Sequence, residues 1–168
     1  MLFRSNQTTA VTVSIVDASS DNTFDPLADQ TVTVTTSDND SPGISTTESD
    51  GSTGTTETGG TDSFTVVLNT QPSSDVVASV VSSDTGEVTV TPAQLTFTAS
   101  NWNTAQTVTV SGVDDTAVDG NQNTTITLAV IDASSDDAYD PVVDVTVSAT
   151  NTDNDAPEIG RASCRERV

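Results

Sequence analysis

Short runs in which apolar and polar residues alternate occupy most of this chain. Phe64, Val66 and Leu68 recur at every second position of "SFTVVLNT", and Val108 and Val110 do so in "QTVTVSG". Ile126, Leu128 and Val130 follow in "TTITLAVI", then Val143, Val145 and Val147 in "VVDVTVSA". A period of two puts alternate side chains on one face, and the enrichment in Val and Thr suits a half-buried pleated surface, so these runs predict strands. The segments between them, "NTQPSSD", "SSDTGE", "VDDTAVDGNQ" and "DASSDDAYDP", are turn chemistry, and nothing repeats with the helical period of 3.6. Strands are predicted over 44–47, 63–70, 75–82, 93–98, 106–112, 124–131 and 142–149. Short strands at this density point to an all-β fold, an antiparallel Greek-key β-sandwich with one thin core.

The pattern also repeats. Gln7 to Gly43 aligns without a gap on Gln122 to Glu158 at a constant offset of 115, with 18 of 37 positions identical. A period of that length suits an independently folding module rather than a solenoid turn. The chain therefore reads as the last two strands of one unit, over residues 6–40, followed by one nearly complete unit over 41–158. The first two strands, Val11 to Val16 and Thr31 to Thr35, are expected to be poorly ordered or to pair through exposed edges.

Composition separates the ends from the rest. The four basic residues are Arg4, Arg161, Arg165 and Arg167, and the single Met and Cys, Met1 and Cys164, also lie in these end pieces. Read back into codons, "LFRS" and "IGRASCRERV" resemble translated sequencing adapter, so residues 1–5 and 159–168 are expected to be artefacts and are kept out of the fold argument. Residues 6–158 then hold 24 of the 25 acidic residues and no Lys, Arg, His, Cys or Met. A body so acidic repels polyanions and anionic membrane surfaces, which argues against nucleic-acid partners and favours cations. No stretch approaches the ~20 apolar residues of a membrane span.

Strand parity places the acids. Consecutive antiparallel strands reverse direction, so the connections after 44–47, 75–82 and 106–112 share one end of the sandwich, and the last strand leaves there. That pole collects Glu57, then Asp114, Asp115 and Asp119 of "VDDTAVDG", then Asp153 and Asp155 of "TDND". Two like charges about 4 Å apart repel by on the order of 4 kcal/mol at an effective dielectric of 20, so the acids either spread into water or hold a cation. Calcium takes 6 to 8 oxygen ligands in flexible geometry, whereas zinc prefers His and Cys, which this segment lacks. The alternative is that these are solvated loop residues of an acid-rich surface. At the opposite pole Asp132, Asp136, Asp137 and Asp140 are echoed by Asp17, Asp21 and Asp25, and Asx turns are the favoured reading there. In a head-to-tail array that pole faces the linker carrying Asp38 and Asp40, which are candidates for a cation at the joint.

From Ser41 to Glu158, the runs "TTETGGTDSFTVVLN", "TPAQLTFTASNWNTAQTVTVSGVDD", "VDG" and "TDND" resemble the Calx-beta and cadherin-like repeats of very large bacterial surface proteins. The resemblance implies an Ig-like sandwich whose calcium ligands are Glu57, then Asp114, Asp115 and Asp119, then Asp153 and Asp155. It also implies an extracellular or cell-surface setting, adhesion, and neighbouring repeats of the same chain as partners. The chain departs from the family at "VDGNQ", where calcium-binding members are more often similar to "EGDE".

Two other functions follow from the residues. An Ig-like spacer indifferent to calcium would share the fold. A carbohydrate-binding module could use Trp102, the sole Trp, although a lone aromatic at a strand start more often plugs the end of a core. Catalysis is not expected, since no His or Lys between residues 6 and 158 can activate the abundant Ser and Thr.

Overall fold

The computed structural model describes residues 6–24 and 26–157. The expected adapter segments, and Asp25, lie outside the described residues. Two compact units emerge, Met1–Ser41 and Pro42–Val168.

The first unit is a hairpin. β1 (Gln7–Val13) pairs antiparallel with β2 (Gln30–Thr36), and every residue of both strands is exposed. The two orphan strands thus pair with each other rather than lying unstructured.

The second unit is the predicted all-β sandwich. Its strands are β3 (Ile44–Glu48), β4 (Thr53–Thr56), β5 (Thr61–Leu68), β6 (Val76–Ser82), β7 (Val88–Thr91), β8 (Gln94–Phe97), β9 (Gln106–Gly112), β10 (Gln122–Val130) and β11 (Val145–Thr152). One sheet has the order β4-β11-β10-β6-β8 and the other β3-β5-β9-β7. Pairing β5 with β9 and β6 with β10 skips neighbours in sequence, as a Greek key does. Every pairing is antiparallel except β4 with β11, which run parallel from Thr53↔Ala149 to Thr56↔Thr152.

Alternation fills the core as the sequence predicts. Phe64, Val66 and Leu68 of β5 and Val108 and Val110 of β9 face Val76, Ala78 and Val80 of β6 and Ile126 and Leu128 of β10. Val143 does not join them. Strand β11 begins at Val145, three residues later than expected, and Val143 is 81% exposed in the irregular segment before it. Two strands escape the sequence reading. Between 82 and 93, where only a turn was expected, β7 pairs with β9 before the chain crosses to β8 at the cis peptide Thr91–Pro92. Strand β4, "TGTT", has no apolar side chain, and its inward Thr53 and Thr55 are buried instead by hydrogen bonds to Glu48 and Asn151.

The two poles are therefore defined. Ile44 lies opposite Leu68, so the chain comes into the sandwich at the pole of Leu68 and Val145, and leaves after Thr152 at the pole of Thr56 and Gly112.

Candidate metal centre

Glu57 follows directly on β4 and is 1% exposed. Backbone pairing carries it there: its N–H donates to the Thr152 carbonyl at 3.2 Å, continuing the β4–β11 ladder. The chain then turns sharply at Gly59, whose φ of +84° disfavours any side chain, and Gly59 and Gly60 donate to the Thr56 carbonyl at 3.1 and 3.0 Å. Gly112 of β9 lies so close beneath that a Cβ there would collide with the Thr56 carbonyl and the Asn151 side chain. The floor of the pole is thus built from backbone that only small residues admit.

Asp153 and Asp155 come from the segment after β11. The Asp155 N–H donates to Asp153 Oδ1 at 2.6 Å, the Gly120 N–H to Asp153 Oδ2 at 2.8 Å, and the Asp153 N–H to Asn121 Oδ1 at 3.2 Å. One ligand oxygen from each of Glu57, Asp153 and Asp155 lies within 4.8 Å of the others. Glu57 Oε2 accepts from the Asn154 N–H at 3.0 Å, but its Oε1 and the Oδ2 of Asp155 are buried without a hydrogen-bond partner. Buried carboxylate oxygens are nearly always paired, so these two orphans require an account.

The electrostatics agree with that geometry. The Asn154 N–H favours the charged form of Glu57, yet desolvation together with Asp153, Asp115 and Asp155 outweighs it and raises the Glu57 pKa above its ordinary value. Desolvation, then the charges of Asp153, Asp114, Asp115 and Asp119, raises Asp155 likewise.

A second group stands beside the first. Glu87, Asp115 and Asp119 bring one ligand oxygen each within 4.8 Å of the others. Glu87 Oε2 accepts from Asn151 Nδ2 at 3.3 Å, and the Asn151 Oδ1 accepts from the Thr55 hydroxyl at 3.0 Å, so one fully buried amide ties Glu87 to β4, the strand that carries Glu57 at its end. Asp115 Oδ1 accepts from the Ala117 N–H at 2.7 Å. Asp114 belongs to neither group, but its Oδ1 accepts from Asn154 Nδ2 at 3.2 Å. The structure thus brings Glu57, Asp114, Asp115, Asp119, Asp153 and Asp155 to one pole, distributed over two groups and a bridge. Glu87 is the residue that sequence reasoning missed. Parity had already placed the connection after 75–82 at this pole, and Glu87 lies in it.

The remaining candidates are elsewhere. Asp38 and Asp40 lie in the hairpin unit, where the Asp40 N–H donates to Asp38 Oδ1 at 3.1 Å, and neither is a member of the two carboxylate groups. Asp136 is buried in the loop before β11. Its Oδ2 accepts from the N–H and hydroxyl of Ser73 at 2.6 and 2.7 Å and from the Ser74 N–H at 3.0 Å, and its Oδ1 accepts from the Ala138 N–H at 3.0 Å. Desolvation opposes its charge, but these hydrogen bonds prevail and lower its pKa. It is an anchor of the turn, as the Asx reading expects. Asp140 is raised instead, by desolvation and by Asp132, Asp137 and Asp136. Trp102 is partly buried against the core, with its carbonyl accepting the Leu68 N–H at 3.0 Å.

Chemically, the exit pole offers hard anionic oxygens, two of them unpaired and desolvated, with no basic side chain between residues 6 and 158. Hard oxygen donors of this kind fit a divalent metal ion, and either group, Glu57 with Asp153 and Asp155 or Glu87 with Asp115 and Asp119, could hold one. Among the described residues, no helix is long and apolar enough to cross a membrane.

No family model and no curated protein matches the chain, so the Calx-beta and cadherin-like resemblance stands on its motifs alone. Solved structures resemble it at the level of a β-sandwich. SSP-19, an MSP-domain protein like family member of Caenorhabditis elegans, is 14% identical with a TM-score of 0.44, covering 64% of this chain and 99% of its own. Domains 4 and 5 of the S-layer protein SbsC are 20% identical with a TM-score of 0.48, covering 88% of this chain and 58% of their own. The E. coli chaperone DraB is 9% identical with a TM-score of 0.45, covering 67% of this chain and 56% of its own. At these identities no function is carried across. The chain has the structure of an all-β sandwich domain.

Proposed function

We propose that the sandwich is a calcium-binding, non-catalytic spacer unit of a repetitive cell-surface protein, of the Calx-beta or cadherin-like kind, in which the ion fixes the segment leaving β11. One observation carries this reading: Glu57 is buried with its Oε1 unpaired, beside Asp153 and Asp155, in a stretch, residues 6–158, that has no positive side chain. A cation there would satisfy the orphan oxygens, cancel the repulsion and tie β4 to the outgoing chain. In an array, Asp38 and Asp40 would serve the preceding unit as Asp153 and Asp155 serve this one.

Calorimetry of the whole chain tests the reading. Millimolar calcium should raise the melting temperature of the sandwich by on the order of 5 °C over chelator, as expected for an ion that binds only the folded state of a small domain. Glu57→Gln should abolish the rise. Identical melts with calcium and chelator would refute it and leave a calcium-independent spacer. That rival has one observation in its favour, namely that Asp153 already has both oxygens hydrogen-bonded.

A further inference from the structure

The parallel pair β4–β11 joins the two ends of the sandwich. The chain comes in at Pro42, runs through β3 and β4 toward the exit pole, and leaves that pole after β11. A tension applied to the two ends pulls β4 back toward the incoming pole and β11 out past the exit pole. The two strands lie side by side in the same direction, so that tension acts along both and in opposite senses. The hydrogen bonds between them run across the load and share it, rather than opening one at a time as in a peeled hairpin. The pair spans only Thr53–Thr56 against Ala149–Thr152, about 13 Å of strand.

The carboxylate group sits at the end of that short ladder. Glu57 is the first residue after β4, its N–H bonded to the Thr152 carbonyl, and Asp153 and Asp155 lie just after β11. The Asn154 N–H to Glu57 Oε2 bond at 3.0 Å already links the two segments, and Glu57 Oε1 is left over. An ion shared by these carboxylates would be an additional tie between the two strands that tension shears.

We infer that Glu57, Asp153 and Asp155 form a cation-operated clasp on the β4–β11 pair, so that calcium sets how long the sandwich survives under end-to-end tension. This rests on the calcium reading above and goes beyond it, because an ion that only stiffened the outgoing linker would leave the sandwich's own resistance to force unchanged. The clasp also predicts direction. Tension that does not enter at the end of β11 loads it less.

The experiment pulls single molecules of the whole chain at constant force in calcium and in chelator, with Cys164→Ser removing the native thiol. In one geometry the handles are at the two termini. In the other they are at the N-terminus and at an introduced Asp84→Cys, in the exposed turn between β6 and β7, so that β11 is not pulled at its own end and β4 alone of the pair is in the covalent path of the load. Calcium should lengthen the lifetime about tenfold in the first geometry, and clearly less in the second, since forced unfolding reports the unfolding rate. Glu57→Gln should remove the lengthening, read as the ratio of the variant's own lifetimes in calcium and in chelator. Calcium uptake in calorimetry with equal lengthening in both geometries, or with none in the first, overturns the clasp alone. No calcium uptake overturns both the site and the clasp.

Discussion

The hairpin β1–β2 and the hairpin β10–β11 are one structure built twice, in different surroundings. Their registers coincide at all seven pairs, from Gln7↔Thr36 and Gln122↔Asn151 to Val13↔Gln30 and Leu128↔Val145. The connecting loops close with the same bonds: Ser19 N–H to Val16 and Ser134 N–H to Ile131, then Phe24 N–H to Asp21 and Tyr139 N–H to Asp136. Burial is what separates them. Val13 is 63% exposed where Leu128 is 0%, and Phe24 is 54% exposed where Tyr139 is 0% and donates its hydroxyl to the Thr70 carbonyl. Register and turn are thus written locally, by alternation and Asx chemistry. A core requires the second sheet, which only the second copy has in place.

The largest expected effect breaks that comparison at a matched pair. Leu128→Ala leaves a cavity between the two sheets and should destabilise the sandwich by about 2–5 kcal/mol. Val13→Ala, at the equivalent position, should stay within about 0.5 kcal/mol, as exposed substitutions do. Urea unfolding of the whole chain followed by the fluorescence of Trp102 reads the first, because that ring packs against the core of the second unit, and amide hydrogen exchange of β1 and β2 reads the second. Comparable losses would mean that the first hairpin has a packed face of its own.

A smaller effect separates the matched acids Asp136 and Asp21. Both accept the N–H two residues on, but only Asp136 is buried and also holds Ser73 and Ser74. Asp136→Asn leaves donors facing an amide and should cost about 1–3 kcal/mol at neutral pH, whereas Asp21→Asn should leave the Trp102-detected midpoint where it was. The pH dependence gives a sign. Asp136 has a folded pKa below its ordinary 3.8, so its contribution is complete above that value and is lost as pH falls through the folded one. The gap between wild type and Asp136→Asn should therefore close in acid. Glu57 and Asp155 are raised, so without calcium their contribution runs the other way, present in acid and lost as pH climbs through their folded values. An ion-free chain that is more stable mildly acidic than neutral, and loses that preference when calcium is added, is the expected pattern.

How much of this the sequence disclosed follows the same division. Phe64, Val66, Leu68, Val108, Val110, Ile126 and Leu128 announce their burial by period two, and parity alone brings Glu57, the 114–119 loop and Asp153 to one pole. Strand β4 is invisible to that method because Thr53 and Thr55 are inward on account of hydrogen bonds, and no hydrophobic signal marks them. Val143 misleads because it is in phase with Val145 and Val147, but the strand starts only at Val145, and before it Val142 rather than Val143 packs against the core. Glu87 was missed because a single acid in a turn does not stand out until Asn151, buried on another strand, is seen to donate to it. Local patterns are legible from the chain, and contacts made by polar side chains across sheets are not.

The smallest effect is expected where the two copies differ least by sequence. Asp38 and Asp40 match Asp153 and Asp155 in residue type and in the bond between them, Asp40 N–H to Asp38 Oδ1 at 3.1 Å against Asp155 N–H to Asp153 Oδ1 at 2.6 Å. They even share the side-chain bond that precedes it, the Asp38 N–H donating to Asn6 Oδ1 and the Asp153 N–H to Asn121 Oδ1. What distinguishes them is Glu57, which follows a strand paired to β11 and leaves an oxygen unsatisfied beside the second pair only. Asp153→Asn with Asp155→Asn should therefore erase the calcium-dependent rise in melting temperature, and Asp38→Asn with Asp40→Asn should leave it unchanged. If the two double variants lost it equally, the turn itself would be the ligand and the buried glutamate incidental. If only the first loses it, the ion is read by the carboxylate that β4 delivers, and the shared "DND" motif is an adjunct to it.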